Sequence, residues 1–468
     1  MTTPSAGPLT LRLILIRHGL STFNVERRIQ GRDDLSTLTD EGRGQARRAG
    51  QALEGLSVEA LWASPLKRAA ETARSVAASL AGIEEGITWS DDLLEVDLGP
   101  WSGSTAADLQ ENHPEAWATW RRDPSVLQLE RADGTPYFPL QELMAQAERA
   151  LAALVARHPA RGADRTVVVV AHNMILKVML LAMLGRDLSS LRSLRLDNAS
   201  ISVVNVAALA GPDSGAAPAA ALRFCERHSV QLESVNGTTH LGDGWLERPP
   251  EGLRLLLVRH GETDWNREGR FQGQIDIPLN DRGREQADAA RSCLEGVSLQ
   301  RAWSSRMSRP RETAEIILRN HPAVHLSLTD GLREIGHGLW EGRLEEEIRA
   351  DWPDLLDAWK RAPETVTMPE GETIQQVSDR AVACWREIVA ALVPGETVLV
   401  VAHDAVNKTI LCELLGMTPA AIWSIKQGNG GVSVIDYPQG SEGVGVVTAL
   451  NITAHLGGVL DRTAAGAL

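Results

Sequence analysis

Two copies of Arg-His-Gly each close a short apolar run, Leu13-Ile14-Leu15-Ile16-Arg17-His18-Gly19 and Leu255-Leu256-Leu257-Val258-Arg259-His260-Gly261. A neutral imidazole is nucleophilic near neutral pH and needs no external base. The guanidinium beside it presents a planar fork that matches phosphate oxygens. A histidine at the tip of a buried strand, with arginine next to it, is therefore placed to attack a phosphate. With average residue usage the tripeptide should arise by chance on the order of a few times per hundred chains of this length. Two copies in matching context point to duplication.

Cleaving a phosphate ester takes an in-line nucleophile, positive charge on the equatorial oxygens and a proton for the leaving oxygen. In the first half His18 is the candidate nucleophile and Arg17 and Arg68 the candidate phosphate-binding guanidiniums. His172, if protonated, adds a donor. A carboxyl group beside a dianionic phosphate keeps its proton to higher pH. Glu95 is the carboxylate in that company, able to protonate the leaving group and then accept a proton from the hydrolysing water. The second half repeats the set as His260, Arg259, Arg309, His403 and Glu334. Asn24 and Asn266 read equally as ligand contacts or as helix caps and turns. The remaining histidines have no ligand spacing, so neither a metal nor another cofactor is expected.

The repeat extends well past these residues. Arg28-Ile29-Gln30-Gly31 matches Arg270-Phe271-Gln272-Gly273, and Leu38-Thr39-Asp40-Glu41-Gly42-Arg43 matches Leu279-Asn280-Asp281-Arg282-Gly283-Arg284. Ala63-Ser64-Pro65-Leu66-Lys67-Arg68 matches Ser304-Ser305-Arg306-Met307-Ser308-Arg309, and Val170-Ala171-His172-Asn173 matches Val401-Ala402-His403-Asp404. The offset between halves drifts little, so the chain reads as two tandem domains and not as a short-period solenoid. The expected division is a first domain at 8–241, a Gly- and Pro-rich linker at 242–251 and a second domain at 252–458, with a flexible Ala/Gly/Pro loop at 207–221.

Leu-, Ile- and Val-rich runs at 11–16, 166–170, 253–258 and 397–401 predict strands buried on both faces. Ala-, Arg- and Glu-rich stretches at 41–53, 68–80, 143–157 and 311–318 have helical spacing. Alternating strands and helices predict an α/β fold, three layers in each domain, around a mostly parallel sheet. Sites in such sheets lie at the carboxyl ends of the strands, where His18, His172, His260 and His403 all fall.

The chain is 43% hydrophobic and 23% charged, ordinary for a globular domain, with a formal charge of -14. No basic stripe invites nucleic acid, so an anionic substrate requires arginines that reverse the potential inside a cleft. The four cysteines have no paired spacing, which suits a reducing, cytoplasmic compartment. The apolar stretch 167–184 is interrupted by His172, Asn173 and Lys177 and reads as strand, turn and helix, not as a membrane span. Trp117, Trp120, Trp352 and Trp359 read as core packing, and His240 and His455 as structural.

In combination, the motifs resemble those of the histidine phosphatase family, with its phosphoglycerate mutase-like α/β/α fold, over residues 10 to 456. The resemblance implies a phosphohistidine on His18 and His260, formed without a metal or cofactor. It implies phosphate contacts from Arg17, Asn24, Arg68 and His172, and from Arg259, Asn266, Arg309 and His403, with proton transfer by Glu95 and Glu334. The short Gly99-Pro100-Trp101-Ser102-Gly103 and Gly338-Leu339-Trp340-Glu341-Gly342 segments resemble the hydrolytic branch, so the expectation is a phosphomonoesterase acting on a small phosphorylated metabolite. The tandem layout and the stretch 26–39 resemble two-domain 2-carboxy-D-arabinitol-1-phosphatases, which implies a sugar phosphate such as 2-carboxy-D-arabinitol 1-phosphate. Departures lie at Leu20, where Glu262 stands in the second half, at Arg306-Met307, at Asn173 and Asp404, and at 137–143, which replaces the Pro369–Thr373 segment. Phosphoglycerate mutase-type transfer stays open, as does a non-catalytic phosphate-binding regulatory role for one domain; Leu20 points to the first. Oligomeric state is left open.

Overall fold

A computed structural model of the chain describes residues 10–83, 86–160, 163–209, 223–242, 246 and 252–464. The chain divides into two compact units, 1–232 and 233–468. That division falls inside a strand, ahead of the expected 242–251 linker, of which only Gly242 and Leu246 are described. Most of the expected loop at 207–221 also lies outside the described residues.

In the first unit the apolar runs form β1 (Leu11–Arg17), β2 (Ala60–Ala63) and β3 (Ile87–Trp89). A two-residue hairpin, β4 (Leu129–Glu130) and β5 (Pro136–Tyr137), precedes β6 (Arg165–Ala171) and β7 (Ile201–Ala208). The sheet order is β7-β1-β6-β2-β3, with β7 alone antiparallel, along β1. Val167 to Val170 are fully buried, as a strand covered on both faces requires. The chain moves from β1 through β2 to β3, then returns to β6. Right-handed crossovers therefore put helices Asp40–Gln51 and Lys67–Ala77 on one face and Pro139–Arg157 on the other. Contacts agree: the first two helices pack together, and Pro139–Arg157 packs on Asn173–Met183.

The strand β8 (His228–Gly237) carries the chain into the second unit, where Val235 pairs with Leu450. There β9 (Leu253–Arg259), β10 (Arg301–Ser305), β11 (Leu326–Thr329) and β12 (Thr397–Ala402) are parallel, in the order β11-β10-β12-β9. Antiparallel β13 (Val432–Tyr437) and β14 (Val446–Ile452) extend the sheet beyond β9. Helices Asp281–Cys293 and Ser308–Ile317 pack together, as do Ile374–Ala390 and Asp404–Leu414. The predicted α/β class and mostly parallel sheets hold in both units. Each expected helix is present, shifted by a residue or more toward its cap: Thr39 and Asn280 begin Asp40–Gln51 and Asp281–Cys293 by accepting from Gly42 and Gly283 N–H.

Two repeated glycines owe their place to packing. A Cβ on Gly19 would lie 2.4 Å from the Gly42 carbonyl oxygen, and one on Gly261 would lie 2.2 Å from that of Gly283. In return, a Cβ on Gly42 or Gly283 would meet the carbonyl oxygen of Leu20 or Glu262 at 2.0 or 2.1 Å. The segment after each histidine thus rests directly on the first turn of a helix. Gly283→Ala should destabilise the second unit by roughly 1–3 kcal/mol or more. Gly296→Ala, where nothing lies within 4 Å, should change stability by about 0.5 kcal/mol or less. Denaturation midpoints test this, and equal midpoints for the two variants would contradict it.

Candidate active site

Strand register assembles the site. Arg17 pairs with Ala171 and Arg259 with Ala402, so the next residue on each strand is His18 beside His172 and His260 beside His403. The ring centroids are 5.2 and 5.1 Å apart. His18 N–H donates to Ala171 O at 3.0 Å and His260 N–H to Ala402 O at 3.1 Å, carrying the pairing one residue past the strand ends.

Both candidate nucleophiles are buried, and each Nδ1 lies on the carbonyl oxygen of the following glycine, at 2.8 Å in His18 and 2.7 Å in His260. A carbonyl only accepts, so Nδ1 carries the proton. Burial first, then the nearby arginines (Arg68 and Arg17, Arg309 and Arg259), pushes both imidazoles well below their usual range. They are neutral at physiological pH, with the lone pair on Nε2. In the second half Arg309 Nε–H donates to His260 Nε2 at 3.3 Å, which uses that nitrogen as an acceptor.

The guanidiniums are held by backbone carbonyls. Arg68, in the first turn of its helix, donates to Gly31 O and Asp33 O, both at 2.8 Å. Arg309 donates to Gly273 O at 2.8 Å and Ile275 O at 3.2 Å. The repeated Gln-Gly segment is thus an arginine rest. Arg17 and Arg259 donate to Leu196 O and Gln427 O at 2.7 and 2.5 Å. The Nε atoms of Arg17, Arg68 and Arg259 are buried without a partner. Burial lowers the affinity of Arg17 and Arg68 for their protons and brings Arg309 down to about 10.

His172 and His403 are fully buried, and burial together with Arg68 or Arg309 drives both well below the usual range. The extra donor expected of His172 is conditional on protonation; here both rings are neutral and supply one N–H each. His172 Nε2 lies 2.8 Å from Ser64 Oγ, while His172 Nδ1 and both ring nitrogens of His403 lack partners.

Glu95 and Glu334 reach the same place but are bound differently. Glu95 accepts from the N–H groups of Val96, Met174 and Ile175 at 2.9 to 3.1 Å, docking on the N-terminus of the helix Asn173–Met183. Glu334 accepts from Ile335 and Asp404 N–H at 2.9 and 3.1 Å. Burial, then the Asp404 carboxylate, raises Glu334 above the ordinary carboxyl range. Asn24 and Asn266 turn Oδ1 back onto Ser21 and Thr263 as capping boxes, yet Asn266 also lines the pocket. The cap and ligand readings are therefore compatible. The pocket in the second half is lined by Arg259, His260, Asn266, Gln272, Gly273, Arg309, Glu334, His337 and Asp404.

Several contributors escaped sequence reasoning. Asn198 Nδ2 donates to His18 O and Asn24 Oδ1, and Asn429 Nδ2 to His260 O and Asn266 Oδ1, so one amide ties each histidine backbone to its capping asparagine. Asn198 and Asn429 recur at the same offset as His172 and His403, a signal the repeat already held. Asp404 is buried between Lys408 Nζ at 2.9 Å and Arg259 Nη1 at 3.8 Å. His337 occupies a position where the first half has Leu98. Glu262 Oε1 accepts from Asn280 Nδ2 at 3.0 Å and is not among the pocket's lining residues, so Leu20 removes that structural bond.

Trp117 and Trp120 set ring edges on fully buried Trp101, Trp359 is itself fully buried, and half-buried Trp352 lies under the Arg343 guanidinium. His455 Nε2 lies 3.0 Å from Gly430 O, beside the loop that carries Asn429. In the first unit a cleft of ≈ 1040 Å³ opens beside the β4–β5 hairpin, lined by Asp97, Trp101, His113, Arg131 and Tyr137 among others. Among the described residues no helix is long and apolar enough to cross a membrane, and no three His, Cys, Asp or Glu side chains gather as metal ligands.

The chain is 26% identical to 2-carboxy-D-arabinitol-1-phosphatase of Triticum aestivum over 97% of its own length and 89% of that protein's. It is 34% identical to phosphoserine phosphatase 1 of Hydrogenobacter thermophilus, over 44% of this chain and 95% of that one. A solved structure, Bacillus stearothermophilus YhfR, matches at 34% identity and a TM-score of 0.42, covering 44% of this chain and all (100%) of its own. The family model of the histidine phosphatase superfamily (branch 1) matches twice, at residues 13–209 and 255–451, and the chain belongs to that superfamily in two tandem copies.

Proposed function

We propose that each half is a phosphomonoesterase that hydrolyses a small phosphorylated metabolite through a phosphohistidine, on His18 in the first half and His260 in the second. One observation carries this reading: a neutral imidazole, its proton tied to a backbone carbonyl through Nδ1, sits among buried guanidinium N–H groups that lack partners. An uncompensated buried cation is costly, and a phosphate dianion supplies the missing acceptors. Arg17 and Arg68, or Arg259 and Arg309, take the equatorial oxygens, with His172 or His403 and the amide of Asn24 or Asn266 completing the set.

The chemistry runs in two steps. Nε2 attacks phosphorus, the bond from phosphorus to the ester oxygen breaks, and Glu95 or Glu334 gives its proton to the departing alkoxide. Water then attacks the phosphohistidine, the same carboxylate takes its proton, and inorganic phosphate leaves with Nε2 restored. No metal enters either step.

The name of the Triticum aestivum relative, matched over nearly the whole chain, supports a sugar phosphate, with 2-carboxy-D-arabinitol 1-phosphate as the specific candidate. The short Gly-Leu-Trp-Glu-Gly turn and its counterpart support hydrolysis over mutase-type transfer; release of free phosphate, as against movement of the phosphoryl group between positions of phosphoglycerate, separates the two. The compartment we propose is the cytoplasm.

Replacing both His18 and His260 with Ala should reduce p-nitrophenyl phosphate turnover by about a thousandfold or more, and alkali-stable label from a radioactive ester should disappear. Label on one histidine alone in the native chain would make the other half a binding module. With His18→Ala isolating the second half, Glu334→Gln should slow esters of poor leaving groups by about 100-fold or more and p-nitrophenyl phosphate far less. Equal losses would remove Glu334 as the acid. The raised carboxyl must be protonated to act, so turnover by the second half should fall as pH rises through its range, and Glu334→Gln should abolish that limb. EDTA should leave turnover intact; strict dependence on an added divalent ion would contradict the scheme.

A further inference from the structure

The two halves differ at one buried charge beside the phosphate site. In the second, Asp404 follows the late histidine and lines the pocket. Its Oδ2 binds Lys408 Nζ at 2.9 Å, one helical turn on, while Oδ1 is buried without a hydrogen-bond donor and 3.8 Å from Arg259 Nη1. Trp423 covers the pair, its ring centroid 5.1 Å from Lys408 Nζ. In the first half Asn173 takes the place of Asp404 and Lys177 that of Lys408. Lys177 Nζ makes no hydrogen bond or ion pair among the described residues, and burial lowers its ammonium to about 8, still mostly charged at neutral pH. The residue matching Trp423 is Arg192, which turns away to donate to Trp120 O and Arg121 O at 2.6 and 2.5 Å. The charged groups around Lys177 are Arg17, Asp197, Arg195 and Glu95, and Asp197 is engaged by Arg195 at 2.8 Å.

We propose that this exchange gives the two pockets opposite charge preferences. Asn173 and Lys177 fit the first to a phosphoester that carries a second anionic group, such as a carboxylate. Asp404, neutralising Lys408 and offering an unpartnered oxygen, fits the second to a phosphoester whose alcohol carries hydrogen-bond donors. The physical basis is one desolvated charge: the Lys177 ammonium, with no ion pair to cancel it, attracts an incoming anion, whereas the Asp404–Lys408 pair cancels that attraction and leaves a carboxylate oxygen facing the ligand. The inference rests on the reading of both halves as phosphoester sites.

The test uses two esters that differ at one carbon, 3-phosphoglycerate with a carboxylate and glycerol 3-phosphate with a hydroxyl, on the full chain. His260→Ala leaves the first site to act alone and His18→Ala the second, and p-nitrophenyl phosphate reports phosphatase chemistry in each. The ratio of kcat/KM for 3-phosphoglycerate to that for glycerol 3-phosphate should be about tenfold or more higher in the first site than in the second. Asn173→Asp and, independently, Lys177→Met should each lower the first-site ratio by about tenfold, and Asp404→Asn should raise that of the second. Where a half turns over neither ester, the same ratio is read from their Kd values by titration calorimetry. Equal ratios in the two halves, or ratios that Asn173→Asp and Lys177→Met leave unmoved while p-nitrophenyl phosphate is hydrolysed, overturn this inference alone. A half that neither hydrolyses nor binds any of the three overturns the phosphatase reading of that half, and this inference with it.

Discussion

The hydrogen bond from Nδ1 of His18 to Gly19 O, repeated between His260 and Gly261, fixes which ring nitrogen keeps its lone pair. Without it a neutral imidazole populates both tautomers and its ring turns. With it, the proton is parked on backbone and the lone pair of Nε2 faces the arginines. The geometry around that bond serves to hold it: the glycine lies flat on a helix's first turn because no side chain would fit, and an asparagine amide, Asn198 or Asn429, grips the histidine carbonyl from the far side. Parallel pairing of β1 with β6, and of β9 with β12, then sets the second histidine beside the first with no freedom to drift.

The arginines follow a complementary logic. A buried guanidinium normally demands a carboxylate. Here Arg68 and Arg309 lean on main-chain carbonyls, which orient the fork without cancelling its charge. Dipoles hold the cations in place and leave the net positive charge for the ligand, so a strongly acidic chain can still bind an anion in a local well of positive potential. Carboxylates at the rim then adjust that potential. Glu95 is anchored by three backbone N–H groups, whereas Glu334 shares its surroundings with Asp404. The common frame keeps the chemistry; the rim is where the two halves have separated.

Much of this was legible in the sequence because it rests on features a linear pattern preserves. Buried parallel strands are continuous apolar runs, functional side chains follow strand ends, and duplication shows which residues recur together. Thus His18, His172, Arg17, Arg68 and their counterparts converge as the spacing implied. What stayed hidden depends on three-dimensional burial or on backbone atoms. The charge state of His172 follows from its complete burial near two arginines, which no spacing reveals. The carbonyl rests for the arginines have no side-chain signature. Asn24 could be read two ways because its cap uses only the side-chain oxygen and leaves the amide nitrogen uncommitted. The boundary between the compact units falls inside β8: Glu233 to Gly237 belong to the second unit, where Val235 pairs with β14.

The neutral second histidine has a consequence for how the site handles its ligand. His172 and His403 are held unprotonated by burial and by the same arginines that attract phosphate. An arriving dianion cancels that positive potential, which makes protonation of the ring easier at the moment when an extra donor is most useful. Binding of the anion and uptake of a proton are then linked, and linkage is reciprocal: each favours the other by the same free energy. A charged ring beside two uncompensated guanidiniums would be a third crowded cation; beside a bound dianion it is not. In the phosphohistidine reading proposed above, His18 and His260 are the rings locked as nucleophiles, and His172 and His403 are the rings free to take up charge as the phosphate enters.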